Sequence, residues 1–302
     1  MEPVSCRVSA PCSLAWSVMT AASLKFDEIG YWSRVKLDIV AEYGSRYTIT
    51  FKNQSLKKYY IDGFSGAGMH VSKDTGVAVE GSPSRALRVE PPFDEFYFID
   101  MEATKTSYLE SLYGSRRDVH IHTGDANEYL IRELLPKIQF RNYNRALCLL
   151  DPYGLDLDWE VMYQAGQSKA IDMFLNFPVM DMNRNAIWRH PEEVPTSGIQ
   201  RMNRFWGNES WREAAYTPSR QQKLWGEPDI EKQDNDAIVA AFCERLRTVA
   251  GFEFVPEPLP MKNSTNAVVY YLCFASPKPV AERILTSIFS RYRALGTAGY
   301  QG

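Results

Sequence analysis

The chain is predicted to fold as an α/β domain of the Rossmann-like class: a mostly parallel sheet with helices on both faces, a terminal antiparallel strand pair, and an inserted helical segment after the fifth strand. Three observations predict it. Short apolar runs alternate with amphipathic stretches about five times between Tyr31 and Phe177, the pattern of a parallel sheet covered on both faces. Four acids, Asp62, Asp100, Asp125 and Asp151, end or closely follow these runs. The first run then enters three glycines within six residues, "DGFSGAG".

The elements follow in order. Val35, Leu37, Ile39, Val40 and Tyr43 stand near helical spacing and predict a helix over Ser33 to Tyr47. "KKYYIDGF" is a first strand ending at Asp62. In "GSPSRALRV", Ser82 reads as an N-cap and Pro83 as the first helical residue. "EFYFIDME" is a second strand, "ATKTSYLESLYGS" a helix stopped by Gly114, and "DVHIHTGDAN" a third strand broken at Gly124. "ANEYLIRELLPKI" is a helix, "RALCLLDPYG" a fourth strand, "DWEVMYQAGQSK" a helix and "AIDMFLNFPV" a fifth strand. "NDAIVAAFCERLRTVAGF" is a further helix. "FEFVPEPLPMKNSTNAVVYYLCFAS" reads as two antiparallel strands at the sheet edge, and "PVAERILTSIFSRYR" as a final helix. The expected organisation is a disordered leader over 1–25, a cofactor-binding core over 26–181, an inserted segment over 182–236 and a C-terminal completion of the sheet over 237–302.

Composition narrows the function classes. The 302 residues are 45% hydrophobic with a net charge of −3, which argues against disorder and against non-specific coating of nucleic acid, while leaving room for a local basic face. No stretch is apolar for long enough to span a bilayer. The apolar part of the leader, "SLAWSVM", is short and little positive charge precedes it, so a disordered extension is favoured over a signal peptide; Met19 is an alternative start. The five cysteines, Cys6, Cys12, Cys148, Cys243 and Cys273, form no CxxC pair. Cys148 and Cys273 lie in apolar runs and read as buried thiols, and an odd count without metal spacing suits a reducing cytoplasm. His120 and His122 share a strand face, but no carboxylate or cysteine cluster is expected to join them and no metal site is expected. His70, after the glycines, is a candidate substrate contact.

Glycines after a first strand permit a tight turn and the close approach of a ligand to the main chain. Asp100 and Glu102 stand where an acid accepts hydrogen bonds from ribose hydroxyls, and Asp125 stands where an acid after the third strand would hold an adenine amine. Each acid alone reads more readily as a helix N-cap than as a ligand contact; three in register with a glycine loop favour a nucleoside ligand. The loop lacks both GxGxxG and GxxxxGK[ST], which argues against a phosphate-binding loop.

The loop resembles the "DxFxGxG" motif of S-adenosylmethionine-dependent amino-methyltransferases, with Asp62, Phe64, Gly66 and Gly68 as the matching positions. By that resemblance the methionyl end of the cofactor lies against this loop, with Ser65 within it and Ala126 beside Asp125 completing the cofactor set. "LLDPYG" is similar to their [DNS]PP[YFW] motif with one proline fewer, and closer to the Asp-Pro-[YF]-Gly of tRNA guanine exocyclic-amine dimethyltransferases. The resemblance implies that Asp151 and the backbone at Pro152 accept hydrogen bonds from a target amine while Tyr153 stacks on the acceptor. A plain turn is the alternative. From Tyr31 to Phe177, "KLDIVAEY", "YYIDGFSGAG", "EGSPSRAL", "FYFIDME", "HTGDANEYL" and "CLLDPYGLDLDW" resemble the three-Cys-motif partner (TcmP) proteins, a family named for its association with a protein carrying a three-cysteine motif and similar in fold to class I methyltransferases. The match beyond about Asp181 is loose.

The expectation is therefore an S-adenosylmethionine-dependent methyltransferase directed at nitrogen on a nucleic acid, in a modification or defence role. No Pro-Cys nucleophile follows the fourth strand, which argues against methylation through a cysteine adduct. The inserted segment carries seven basic residues between Met182 and Trp225, among Trp188, Trp206, Trp211 and Trp225. Arginines interleaved with aromatics suit single-stranded nucleic acid, although the tryptophans more often pack a subdomain. Asn183 and Arg184, just beyond the fifth strand, are the candidate acceptor contacts. Two alternatives stand beside this: a non-catalytic cofactor-binding partner of the three-cysteine-motif protein, and another nucleotide-using transferase on the same sheet.

Overall fold

The computed structural model describes residues 24–218, 230–263 and 265–297. Seven strands form the central sheet: β1 (Lys57–Asp62), β2 (Glu95–Asp100), β3 (Val119–Thr123), β4 (Asn144–Leu150), β5 (Ile171–Phe177), β6 (Leu259–Lys262) and β7 (Val268–Ala275). Their spatial order is β6-β7-β5-β4-β1-β2-β3. β1 to β5 run parallel, while β7 is antiparallel to both β5 and β6. This is the expected α/β class: a Rossmann-like, mostly parallel sheet with a terminal antiparallel pair. The strand order reverses between β1 and β4, so the carboxyl ends of those strands border the crevice where doubly wound sheets bind ligands.

Among the described residues ten α-helices follow in chain order: α1 (Tyr31–Phe51), α2 (Ser82–Ala86), α3 (Ala103–Tyr113), α4 (Ala126–Tyr129), α5 (Trp159–Ser168), α6 (Val179–Asn185), α7 (Thr196–Trp206), α8 (Trp211–Ala215), α9 (Asn235–Arg245) and α10 (Val280–Thr297). α1 extends beyond the expected span at both ends, and its buried stripe of Lys36, Val40, Tyr43 and Tyr47 faces the sheet. α4 and α9 each continue into one π-helical turn, Leu130–Leu134 and Leu246–Ala250. Ser82 is not the N-cap of α2. Gly81 holds that position in extended conformation, and Ser82 is already helical.

The two sheet faces bury separate cores. On one face, Tyr60, Phe96, Phe98, Leu147, Leu149, Phe174 and Phe274 pack against α1 and α10. On the other, Ile61, Ile99, Cys148, Leu150, Met173, Leu175 and Cys273 pack against α4, α5 and α9. Asp172 is buried on the α1 face and satisfied by the hydroxyls of Tyr43 and Ser276, each at 2.6 Å. Burial raises its pKa to about 6, opposed by those two donors.

Two parts of the fold differ from the expectation. A small sheet of strands 28–29, 69–72 and 78–80 lies beside the glycine loop, where no strand was predicted. The segment after β5 is not an appendage. Trp206 and Trp211 are buried and Phe205 stacks on Phe242 of α9 at 5.3 Å, so α7 and α8 share the core of the α5 face. Trp188 is half-buried, and Trp225 with residues 1–23 of the leader lies outside the described residues. The tryptophans thus mostly pack. Trp211→Ala should cost about 3–5 kcal/mol of folding free energy, read as a lowered midpoint in urea unfolding.

Candidate functional site

The site is built where β1, β2, β3, β4 and β5 end. The backbone turns out of β1 through Gly66 and Gly68, at φ +62° and +74°. A Cβ at Gly68 would meet Leu109 at 2.8 Å, whereas one at Gly66 would project into open space. The loop is braced from below. Asp100, 6% exposed, accepts from the Gly66 N–H and the Glu102 N–H, both at 2.9 Å, and the Ser65 N–H donates to the Ile99 carbonyl. Asp100 therefore spends both oxygens on main chain. Glu102 stays exposed, drawn down in pKa first by the Thr104 hydroxyl and then by Lys105. Asp125 does cap a helix, its Oδ1 accepting from the Asn127 N–H at 2.8 Å; it is exposed, and Ala126 behind it is buried.

Strand register brings a second group together. Asp62 pairs with Leu149, Leu149 with Phe174, and Phe174 with Phe274. The side-chain period of two then puts Asp62, Asp151, Asn176 and Tyr270 on the same face at the carboxyl edge. Lys36, reaching from α1, is 5% exposed and ion-paired with Asp151, whose other oxygen accepts from the Asn176 amide. Burial alone would lower the Lys36 pKa, but the charges of Asp151 and its neighbours outweigh it and hold the ammonium protonated. Asp151 keeps about a third of its side chain exposed, and four lone-pair sites on a carboxylate leave room for a further donor.

Asp62 is fully buried, with Oδ1 accepting from the Phe64 N–H at 3.4 Å. Burial raises its pKa to about 7; the Asp151 charge adds to this, while Ser82, the Phe64 N–H and Lys36 pull the other way. Five buried polar atoms lack a hydrogen-bond partner among the described residues: Asp62 Oδ2, Ser65 Oγ, His70 Nδ1, Asn176 Oδ1 and Tyr270 Oη. All five belong to the glycine loop, the strand that follows it, or this row. Buried polar atoms in native proteins are nearly always satisfied, so their clustering makes this edge the candidate site.

The "DPYG" loop is fixed from three sides. Asn127 clamps it, donating to the Asp156 carbonyl and accepting from the Asp158 N–H, both at 2.8 Å. Asp181 accepts from the Leu155 N–H at 3.0 Å and from Arg201 of α7 at 2.9 Å. A Cβ at Gly154 would stand 2.5 Å from that Asp181 carboxylate, which explains the glycine. Pro152 is buried. Tyr153 is 71% exposed, yet its hydroxyl donates to Asp27 at 3.0 Å and accepts from Lys105 at 2.7 Å. Asn183 has both ends of its amide engaged, with Asn235 and Lys232. Arg184 is exposed on the same α6 surface as Met180.

His120 bonds Glu95 and stacks on Tyr97 at 4.5 Å. His122 stacks on Tyr129. No group of three or more metal-ligating side chains occurs among the described residues. Cys148, Cys243 and Cys273 are free and buried. No helix among the described residues is long and apolar enough to cross a membrane.

Sequence reasoning missed Lys36, Asn176, Tyr270, Asp27 and Lys105. Two had a legible signal. Lys36 stands on the buried stripe of its helix, four residues before Val40, and Asn176 is a lone amide near the end of an apolar strand.

No protein-family model matches the chain, and no curated protein matches it. Solved structures similar to it include a Legionella pneumophila protein of the DUF519 family model, at 12% identity over 83% of this chain and 91% of that one, with a TM-score of 0.47. A Thermobifida fusca protein provisionally described as a methyltransferase is 13% identical over 82% of each chain, TM-score 0.40. A Listeria monocytogenes protein provisionally described as an S-adenosylmethionine-dependent methyltransferase is 12% identical over 79% of this chain and 99% of that one, TM-score 0.37.

Asp62 links the site to stability. Its folded pKa of about 7 lies above the ordinary 3.8, so the folded state binds the extra proton and folding free energy falls as pH rises through that window, by up to about 4 kcal/mol. Asp62→Asn should melt several degrees above the native protein at pH 8 and lose the advantage toward pH 4, measured by thermal denaturation without ligand.

Proposed function

We propose that the chain is an S-adenosylmethionine-dependent methyltransferase that methylates nitrogen on a nucleic acid acceptor, in a modification or defence role. The observation that carries the reading is the cluster of unpartnered buried polar atoms between the glycine loop and Asp151. The residues present fit the cofactor. Gly66 leaves open space for close approach, Ser65, Phe64 and Asp62 line the turn, Glu102 offers an exposed carboxylate to ribose hydroxyls beside Asp100, and Asp125 with Ala126 flanks an adenine. Met101, 72% exposed between Asp100 and Glu102, adds an apolar wall for a flat ring.

The cofactor would supply a methyl group already activated on a sulfonium, so the protein's part is positioning and exclusion of water. Asp151 accepts a hydrogen bond from the acceptor amine through a free lone pair, leaving the nitrogen lone pair directed at the methyl carbon. The ring of Tyr153 stacks on the acceptor, and Arg184 pairs with its phosphate. The resemblance to the TcmP family supports this fold and cofactor, and three buried free thiols suit a reducing cytoplasm.

A second reading has its own observation. Asp151 is already engaged by Lys36 and Asn176, and Tyr153 by Asp27 and Lys105. A closed arrangement of that kind suits a non-catalytic, cofactor-binding partner of a three-cysteine-motif protein.

Calorimetry with S-adenosylmethionine, S-adenosylhomocysteine and NAD should give binding of the first two alone. Transfer of a tritiated methyl group to pooled RNA, DNA and protein should label RNA or DNA. Asp151→Ala should lower that labelling by about two orders of magnitude or more; undiminished label in the variant removes Asp151 from the chemistry. Binding without label on any pool favours the partner reading.

A further inference from the structure

We propose that His70 is the proton acceptor of the methyl transfer, its Nδ1 taking the proton that the acceptor amine sheds. The inference rests on the methyltransferase reading above and adds to it a residue of the small sheet, outside the glycine loop and the strand ends of the main sheet.

His70 stands in the strand Met69–Ser72, directly after the glycine turn. Three bonds pin that strand. The Gly68 carbonyl accepts from the Gly81 N–H and the Ser84 hydroxyl, both at 2.8 Å, and the Val71 N–H donates to the Asp27 carbonyl at 3.0 Å. The Asp27 carboxylate in turn accepts from Tyr153 and from Lys105, both at 3.0 Å. The strand is thus tied to the groups that hold Tyr153. The His70 ring is half-buried, and its Nδ1 is buried with no hydrogen-bond partner among the described residues. Four charged groups face the ring: Lys36 from α1, Asp27 from the segment before α1, Asp151 from the loop after β4, and Lys105 from α3. A neutral imidazole carries a proton on one nitrogen and a lone pair on the other. With the proton on Nε2, the lone pair of Nδ1 lies unused inside the site.

The chemistry calls for such a group. As the acceptor nitrogen bonds the methyl carbon, the carbon–sulfur electron pair stays on sulfur and the nitrogen becomes positive. It returns to neutrality by losing one N–H proton, which turns the imidazole into imidazolium. The other bases nearby are committed. A proton on Asp151 would strip buried Lys36 of its counter-charge, Asp27 is shared between Lys105 and Tyr153, and Asp62 is fully buried at the end of β1. Burial first, and then the Lys36 charge, hold the His70 pKa below the ordinary 6.5, with Asp27 and Asp151 acting the other way and Lys105 adding to the fall. The ring is therefore neutral near pH 7 and free to accept, and its exposed part returns the proton to water.

The test follows single-turnover transfer of a tritiated methyl group to pooled RNA, DNA and protein across pH, on the full chain at saturating S-adenosylmethionine. The native rate should fall about tenfold per pH unit below the His70 pKa and level off above it. In NMR spectra of the S-adenosylhomocysteine complex, the His70 ring, assigned by its loss in His70→Ala, should titrate at the same midpoint. His70→Ala should keep the affinity for S-adenosylhomocysteine within about twofold, lose about a hundredfold in rate, and recover part of it with added imidazole. His70→Asn, which keeps a polar group near the Nδ1 position, should lose rate to the same extent. A native rate with no acid limb below pH 6.5, a limb that does not share the midpoint of the ring, variants that transfer at the native rate, or a loss that imidazole leaves unrepaired overturns the assignment while the methyltransferase reading stands. Native protein that labels no pool overturns that reading and this inference with it.

Discussion

The architecture of the site depends on one carboxylate. Asp100, at the end of β2, accepts from the Gly66 N–H across the strand gap and from the Glu102 N–H in its own loop. These two bonds join the turn after β1 to the turn after β2. Further bonds extend the joint: the Gly68 carbonyl accepts from the Gly81 N–H and the Ser84 hydroxyl, both at 2.8 Å. Gly68 is thereby packed against α2 and α3, while Gly66 alone of the two faces open space. The glycine turn is preformed, so little of its ordering remains to oppose ligand binding. The same economy assigns the acids. With Asp100 used inward, Glu102 is the carboxylate after β2 that faces outward.

A second consequence concerns the segment after β5. Its arginines do not simply line an open groove. Arg201 bonds Asp181, which fixes the loop after β4, and Arg204 pairs with Asp158 in the same loop. From the opposite side Asn127, two residues after Asp125, holds the backbone of Asp156 and Asp158. The loop that carries Asp151 and Tyr153 is therefore clamped between the end of β3 and α7. Rigid support of this kind is what a positioning site requires, and it gives the segment a structural role in the site that does not depend on its touching an acceptor.

The sheet was legible because buried parallel strands write themselves as continuous apolar runs, and the acids were legible because strand ends are where such runs stop. Asp62, Asp100, Asp125 and Asp151 accordingly reach one edge as read. The rest was hidden for particular reasons. The strands of the small sheet are two to four residues long, too short for a period to show. Asp27 meets Tyr153 across 126 positions, a pairing set by the path of the chain and not by local pattern. Lys36 carries no motif that singles it out, although its spacing to Val40, Tyr43 and Tyr47 places it on the buried stripe. A lysine on such a stripe requires a buried counter-charge, and Asp151 is that charge.

The charges at the strand ends then explain why the site is unsettled without a ligand. Lys36 lies near two carboxylates, Asp151 in direct contact and Asp62 deeper. One cation cannot neutralise both in a medium that solvates ions poorly, so the deeper acid holds a proton near neutral pH. A positively charged group arriving beside Asp62 Oδ2 would favour its ionised form and expel that proton. Under the cofactor reading, binding of a cationic ligand here would be coupled to proton release, and a neutral analogue of the same shape would lack the coupling.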